Sequence, residues 1–361
     1  MRRKVKVTLL AAGVIVAGAA IPATGTVTGG VRTTDEFDQV VRDADVNNNP
    51  DFVQVYVNNV ENRPKAHWVE KCRGDHKDLI YYMKNREYSP DLFLVQQIRH
   101  QRQLDHLTKL MTKKLDGVYA NVIAIPKPRK QIKKKCGGKK KRQTNAIIYR
   151  VGRFKELSAK WTWQSLAYNS RESTCKKNSQ DRTVNVATKL WDKKADRSVN
   201  VASIHWPSKR SHGWPCAEKN LDAVDRQINK RTGGSLRIFG GDFNINWGEG
   251  NQDWYERANG DLGGYLYNYR DAIYDDCSER GVLTGCLADN WTFKNEKGKT
   301  RRIDFLFTQA GPSGASSLPK IGEEATVTFD AADKADEKYT RGDKEGLNYS
   351  EHRAITARIH Y

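Results

Sequence analysis

The sequence has no Cys-x-x-Cys pair, no internal repeat and no apolar run of 20 residues. The first absence removes the usual spacing of a structural zinc site. The second argues against a solenoid or propeller, whose units recur at a fixed period. The third matters at the N-terminus. There an apolar run extends only from Val7 to Ile21, which is short for a membrane span of about 20 residues.

Residues 1–30 have the pattern of an export signal. Basic residues up to Lys6 precede the apolar run, and Pro22 and small residues follow it. We therefore predict a secreted, extracellular protein that is cleaved at a site between Ala19 and Gly30. An uncleaved membrane anchor is the alternative.

The rest of the chain is predicted to form one globular domain. It contains 38% hydrophobic residues and nine tryptophans, enough for a large core. Residues 31–50 are polar and form a lead-in, so the domain spans residues 51–361. Nothing in the sequence indicates a stable protein partner, and we expect a monomer.

The charge balance predicts a polyanionic partner. The formal net charge is +19, which favours nucleic acid, anionic lipid or cell-wall polymer. Ten basic residues and no acid lie between Lys127 and Arg142. Since no apolar period runs through this segment, we predict a solvated loop that grips phosphates.

Six cysteines are an even number in a chain predicted to be exported, which predicts three disulfides. Cys277 and Cys286 are close in sequence and flank a Gly-containing loop, so they form the first predicted pair. The other two pairs follow by elimination: Cys175–Cys216 and Cys72–Cys136.

Polar residues follow or interrupt several apolar strands. Leu236–Phe239 is a short apolar strand followed by two glycines, then Asp242 and Asn244. Open α/β sheets usually bind ligands where their strands end. Asp304 lies inside another apolar strand, where an unpaired charge would be costly. Ordinary turn formation is the other explanation for Asp and Asn at such places.

Two histidines also lie next to apolar strand segments, as Asp242 and Asn244 do. His205 ends the apolar strand that includes Ser203 and Ile204, and His352 follows Glu351 just before an apolar-alternating segment. Because the pKa of histidine lies near neutrality, two of them can serve as the base and the acid of one reaction.

The ordered set of His205, Gly-Asp242-Phe-Asn244, Arg-Ile-Asp304 and Ser-Glu-His352 resembles the endonuclease/exonuclease/phosphatase superfamily. Its pancreatic-deoxyribonuclease-like branch is the most similar, because it also has a histidine at the place of His205. The resemblance covers residues 51–361. It implies an α/β fold, a four-layer α/β sandwich in which two packed mixed β-sheets are flanked by helices.

The resemblance also implies roles for these residues. His352 is the base, oriented by Asp304, and His205 is the acid or a phosphate-stabilising partner. Asp242 and Asn244 lie at the phosphate, where Asn244 donates a hydrogen bond. Asn59, at the end of the predicted first strand, is a further phosphate-binding residue, although a turn asparagine explains it equally well.

The family binds a divalent metal, which implies Mg²⁺ here, with Mn²⁺ or Ca²⁺ as alternatives. The sequence departs from the family pattern at Gln97, where the family has a metal-binding glutamate. A glutamine oxygen supplies no charge, so metal binding should be weaker or should pass to another acid. The expected ligands are Glu351, Gln97 and Asp242, and Glu351 is the hypothetical replacement acid.

These observations predict a secreted, metal-dependent phosphodiesterase that cuts DNA with little sequence preference, with RNA left open. A lipid phosphodiesterase of the sphingomyelinase type is one alternative. A non-catalytic nucleic-acid-binding relative is the other, and Gln97 is its main support.

Overall fold

The structure is a computed structural model, and the residues it describes lie within one compact unit, Val41–Tyr361. The predicted export signal, most of the lead-in, Cys72 and Glu351 lie outside the described residues. No helix among the described residues is long and apolar enough to cross a membrane. The described ranges are 46–60, 76–84, 86–129, 132–136, 139–208, 214–230, 236–247, 253–260, 267–294, 299–310, 326–328, 350 and 352–361.

The first large sheet has six strands in the order β18-β19-β1-β2-β6-β3. The pair β1–β2 is parallel and the other pairs are antiparallel, so the sheet is mixed. Its strands are β1 (Phe52–Asn59), β2 (Leu92–Ile98), β3 (Tyr119–Ile123), β6 (Thr144–Arg150), β18 (Thr326–Thr328) and β19 (Ala354–His360).

The second large sheet has the order β14-β17-β13-β12-β11-β7, with β8 also paired to β11. The pair β12–β13 is parallel within otherwise antiparallel pairing. Its strands are β7 (Phe154–Glu156), β8 (Trp161–Gln164), β11 (Val184–Asp192), β12 (Arg197–His205), β13 (Leu236–Asp242), β14 (Arg270–Asp271) and β17 (Asp304–Ala310).

The two sheets pack face to face, and helices cover their outer faces. Alternation along β2 shows the arrangement: Leu92 and Leu94 pack between the sheets, whereas Phe93 and Val95 pack under two helices, α1 (His76–Lys84) and α2 (Gln101–Lys114). The predicted four-layer α/β sandwich is confirmed. The helices are α1 (His76–Lys84), α2 (Gln101–Lys114), α3 (Ala217–Ile228), α4 (Asp253–Ala258), α5 (Ala272–Glu279) and α6 (Leu283–Asp289).

Three two-stranded sheets complete the fold: β4 (Ile132–Cys136) with β5 (Lys139–Lys141), β9 (Leu166–Asn169) with β10 (Thr174–Lys177), and β15 (Phe293–Lys294) with β16 (Thr300–Arg301). The prediction of a solvated loop between Lys127 and Arg142 is corrected in part, because β4 and β5 are paired strands within this segment. The segment has no apolar periodicity that would indicate strands. The strands of a hairpin pair through backbone hydrogen bonds, however, and these do not require such a periodicity.

A buried ion network joins the sheets at the strand ends opposite the site described below. Asp91, the residue before β2, accepts hydrogen bonds from Arg150 at 2.7 Å and from Arg153 at 3.1 Å. Arg153 also donates to Asp192 at 2.6 Å. Because removal of one partner leaves a buried charge unpaired, loss of Asp91 should lower the free energy of unfolding by about 3–5 kcal/mol.

Two of the three predicted disulfides are confirmed. Cys175–Cys216 and Cys277–Cys286 are bonded, with Cα–Cα separations of 5.8 and 5.5 Å. The third predicted pair, Cys72–Cys136, remains a prediction, because Cys72 and the side chain of Cys136 are outside the described part.

Candidate active site

Three neighbouring strands of the second sheet bring three predicted site residues together. β12 ends at His205, β13 ends at Asp242 and β17 begins at Asp304. In the strand register His205 lies opposite Asp242, and Asp242 lies opposite Asp304. The polar ends predicted from the sequence therefore form one row along the edge of the sheet.

Two glycines let this row form against the first sheet. A Cβ on Gly240 would lie 2.7 Å from the Phe305 carbonyl oxygen and 2.9 Å from Val57. Gly241 has φ +150°, and a Cβ there would lie 1.9 Å from the Ile204 carbonyl oxygen. Any side chain at either position would push β13 away from its neighbours, and Asp242 with it.

The first sheet contributes Asn59 and His352. Asn59 is the last residue of β1, and His352 lies two residues before β19, which pairs with β1. Ser350 ties them together, since its hydroxyl donates to the Asn59 carbonyl oxygen at 2.5 Å and accepts from the His352 N–H at 3.1 Å.

Asp242 is at the centre of the resulting cluster. Its Oδ2 accepts from Asn59 Nδ2 at 2.8 Å. The same oxygen lies 3.5 Å from His205 Nε2 and 3.9 Å from His352 Nε2. Two imidazoles thus approach one carboxylate oxygen from different sheets.

His352 and Asp304 form a hydrogen-bonded pair. The distance from His352 Nδ1 to Asp304 Oδ2 is 2.8 Å, which orients the ring so that Nε2 points toward Asp242. Thr292 braces Asp304, because its hydroxyl oxygen accepts from the backbone N–H groups of Ile303 and Asp304 at 3.0 and 2.9 Å.

His205 is held by its backbone. Its N–H donates to Asn185 Oδ1 at 2.8 Å, and its carbonyl oxygen accepts from the Ser165 hydroxyl at 3.1 Å. Asn185 Nδ2 also donates to Ser165 Oγ at 2.8 Å, which closes a small network. Neither ring nitrogen of His205 has a hydrogen-bond partner among the described residues.

Burial and charge shift two pKa values in opposite directions. The pKa of His205 lies well below its ordinary value because the ring is buried, and the charges of Arg182 and His352 lower it further. Burial raises the pKa of Asp242 to about 7, with the charge of Asp304 adding to the rise and that of His352 opposing it. His205 is therefore neutral at pH 7, and Asp242 titrates near it.

Asn244 lies beside Asp242 in a left-handed backbone conformation, with φ 57°. Its backbone N–H donates to Asp242 Oδ1 at 2.8 Å, and its Nδ2 donates to the Trp206 carbonyl oxygen at 2.8 Å. The side chain is half-buried, so Asn244 lies on the solvent side of the cluster. Its hydrogen bond to phosphate stays a prediction.

Gln97 is not joined to the cluster by any hydrogen bond among the described residues. It has φ 60° within a bulge of β2, its Oε1 accepts from Gln143 Nε2, and its backbone N–H donates to Asn145 Oδ1 at 3.3 Å. Its role as a metal ligand stays a prediction, as does that of Glu351.

Three side chains of the cluster could bind a divalent cation. Asp242, Asp304 and His352 offer ligand atoms that all lie within 4.8 Å of one another. Asp304 Oδ1 is buried with no hydrogen-bond partner among the described residues. Carboxylate oxygens are the ligands that Mg²⁺, Mn²⁺ and Ca²⁺ prefer. The cluster Asp276, Cys277 and Cys286 is unsuitable, because both sulfurs are in a disulfide.

The cluster is nearly closed to solvent. The side chains of His205, Asp242, Asp304 and His352 are 0–4% exposed. Inside such a site each charge acts more strongly than in water.

Several residues of the site were missed from sequence: Ser165, Arg182, Asn185 and Thr292. A buried polar residue between two valines, as in Val184-Asn185-Val186, was the one available signal. The partners of these residues are distant in sequence, so no local pattern identifies what they hold.

Comparisons with solved structures reveal the same fold. An endonuclease/exonuclease/phosphatase protein from Bacteroides vulgatus is similar with a TM-score of 0.55 and 14% identity, over 85% of this chain and 98% of that one. D. rerio TDP2 complexed with single-strand DNA product is similar with a TM-score of 0.54 and 12% identity, over 86% of this chain and 99% of that one. The human Nocturnin catalytic domain with bound sulfate is similar with a TM-score of 0.52 and 16% identity, over 86% of this chain and 94% of that one.

The sequence itself matches no family model and no curated protein. At these identities the structural likeness shows the fold alone.

Proposed function

Because the chain has the fold of the endonuclease/exonuclease/phosphatase superfamily, we propose that it is a metal-dependent phosphodiesterase, and specifically a low-specificity nuclease that hydrolyses DNA. The observation that supports this most is the approach of two imidazoles, from different sheets, to Asp242 Oδ2. Phosphodiester hydrolysis needs a proton acceptor for the attacking water and a group that stabilises charge at phosphorus.

His352 acts as the base in this proposal. Its Nδ1 is held by Asp304, so Nε2 is the atom that removes a proton from water as the water oxygen bonds to phosphorus. The bond from phosphorus to the leaving sugar oxygen breaks, and that oxygen takes up a proton from solvent. Asp304 then stabilises the imidazolium that forms. This arrangement needs Asp304 ionised and His352 neutral before the reaction.

His205 acts as a neutral donor to the phosphate rather than as an imidazolium. Its lowered pKa keeps it uncharged at pH 7, and its ring nitrogens have no hydrogen-bond partner in the described part of the chain. Asn59 and Asn244 add amide donors on either side of Asp242. A divalent cation held by Asp242 and Asp304, with Glu351 as a further candidate ligand, would offset charge on the phosphate oxygens.

Three further observations support the nucleic-acid substrate and the location. The net charge of +19 favours a polyanion. A protein of the same fold, D. rerio TDP2, has been seen with a single-strand DNA product. The disulfides Cys175–Cys216 and Cys277–Cys286 suit an oxidising, extracellular compartment, because the reducing cytosol opposes disulfide formation.

Plasmid nicking tests the proposal. We expect Mg²⁺-dependent nicking that a chelator abolishes, and a loss of about 10²–10⁴-fold in kcat for His352→Ala, the usual range for a positioned base. Asp116→Asn, a change at an exposed residue two positions after the end of α2, is the control. Nicking that persists in His352→Ala would exclude this residue as the base. Hydrolysis of sphingomyelin without DNA cleavage would assign the site to a lipid instead.

A further inference from the structure

The hairpin formed by β9 and β10, residues 166–177, stands apart from the core. Its strands pair with each other from Thr174–Asn169 to Lys177–Leu166. None of its twelve residues is buried. A two-stranded hairpin with no buried face is marginal by itself, so its order must come from attachments elsewhere.

Three attachments fix this hairpin to α3. The disulfide Cys175–Cys216 joins β10 to the residue that precedes α3. The side chain of Asn220 then binds both backbone groups of Leu166, accepting from its N–H at 2.7 Å and donating to its carbonyl oxygen at 3.0 Å. These contacts hold the hairpin in place without adding to either hydrophobic core.

The base of the hairpin lies at the active site. Ser165, the residue before β9, donates to the His205 carbonyl oxygen and accepts from Asn185. The other strand returns to the same point, where the Asn178 N–H donates to the Ser165 carbonyl oxygen at 2.8 Å. One end of the hairpin is therefore one residue away from Ser165, which contacts His205, and the other end is joined to Ser165 through Asn178.

The exposed surface of the hairpin is basic. Arg171, Lys176 and Lys177 are exposed, and Glu172 is the one acid among residues 166–177. Lys176 and Glu172 form an ion pair in which both side chains are about half exposed. Pairs of this kind contribute little, so a phosphate can replace the glutamate at small cost.

We propose that hairpin 166–177 is a docking surface for nucleic acid, which contacts backbone phosphates beside the one being cleaved. The proposal rests on the proposed function, because it assigns the hairpin to the same substrate. Charge complementarity identifies the occupant: three cations lie on an element anchored next to His205. A substrate with a single phosphate would react at His205 and His352 without touching the hairpin.

The test compares two charge-reversed variants with equal change in net charge. The first is Arg171→Glu with Lys177→Glu on the hairpin. The control is Lys113→Glu with Lys114→Glu, two exposed lysines in the last turn of α2. Each is assayed on double-stranded DNA and on bis(4-nitrophenyl) phosphate, a diester with no flanking phosphate.

For the hairpin variant we expect the KM for DNA to rise about tenfold. The slope of log KM against log salt should fall by about 2, since each phosphate contact contributes about 0.9. The kcat/KM for the small diester should stay within about twofold. Removing the attachment with Cys175→Ser and Cys216→Ser should also raise the KM for DNA and spare the small diester.

Three outcomes would overturn the docking surface: an unchanged KM for DNA, an equal rise in the α2 control, or a parallel loss on the small diester. The last would mean that the hairpin acts only by supporting His205. If the wild-type protein cleaves neither substrate, the proposed function fails. The hairpin is then still tested by fluorescence anisotropy of DNA binding in a chelator, where an unchanged Kd refutes it.

Discussion

The buried carboxyl of Asp242 should cost the protein stability at neutral and alkaline pH. Its pKa rises to about 7 from an ordinary value of 3.8, chiefly through burial. Because the folded protein holds this proton more tightly than the unfolded chain, the stabilising effect is complete below pH 3.8. It is lost as pH rises toward 7. Asp242→Asn removes the titration, keeps an oxygen for the Asn244 N–H, and should abolish hydrolysis.

The expected magnitude follows from the shift. Each pKa unit is worth about 1.4 kcal/mol, so a rise from 3.8 to about 7 corresponds to about 4 kcal/mol above pH 8. Between pH 5 and pH 8, the stability of Asp242→Asn relative to the wild type should increase by about 3 kcal/mol. In melting temperature this is on the order of 5 °C for a domain of this size.

The assay is thermal and urea unfolding from pH 5 to pH 8 in a chelating buffer, with Asp116→Asn as the exposed control. A difference between Asp242→Asn and the wild type that does not change with pH would refute the raised pKa. Added Mg²⁺ should stabilise the wild type alone, because a cation favours the ionised carboxylate.

Two further predictions concern His205 and Gln97. Asn185→Ala should lower kcat about 10²-fold by releasing the backbone of His205, but should have almost no further effect in a His205→Ala background. A similar loss in both backgrounds, or in the buried control Asn200→Ala, would show a general structural effect. Gln97→Glu should lower the Mg²⁺ concentration needed both for activity and for thermal stabilisation. An unchanged Mg²⁺ requirement would place Gln97 outside the metal site.

Much of the fold could be predicted because its central strands consist mainly of apolar residues. Apolar runs such as Phe52–Asn59 and Leu92–Ile98 are buried on both faces, as expected for the inner layers of a sandwich. The polar ends His205, Asp242 and Asp304 could be anticipated for the same reason, since each stands out against an apolar strand.

The remainder could not be predicted because it depends on contacts distant in sequence. The bulge that gives Gln97 a positive φ arises in the pairing of β2 with β6, which no local pattern reveals. Ser165 and Asn185 look like ordinary polar residues until β8 and β12 are placed on either side of β11. The β4–β5 strands were missed because lysine-rich segments are usually unstructured.

Asn59 and His352 are separated by 293 residues, and this separation determines when the candidate active site can assemble. A contact that closes so long a loop forms only at the cost of the conformational entropy of the intervening chain. No fragment that lacks either sheet contains a complete set of reacting groups. Under the proposed function, a nascent chain that does not yet contain His352 would therefore leave the DNA of the cell that makes it uncut.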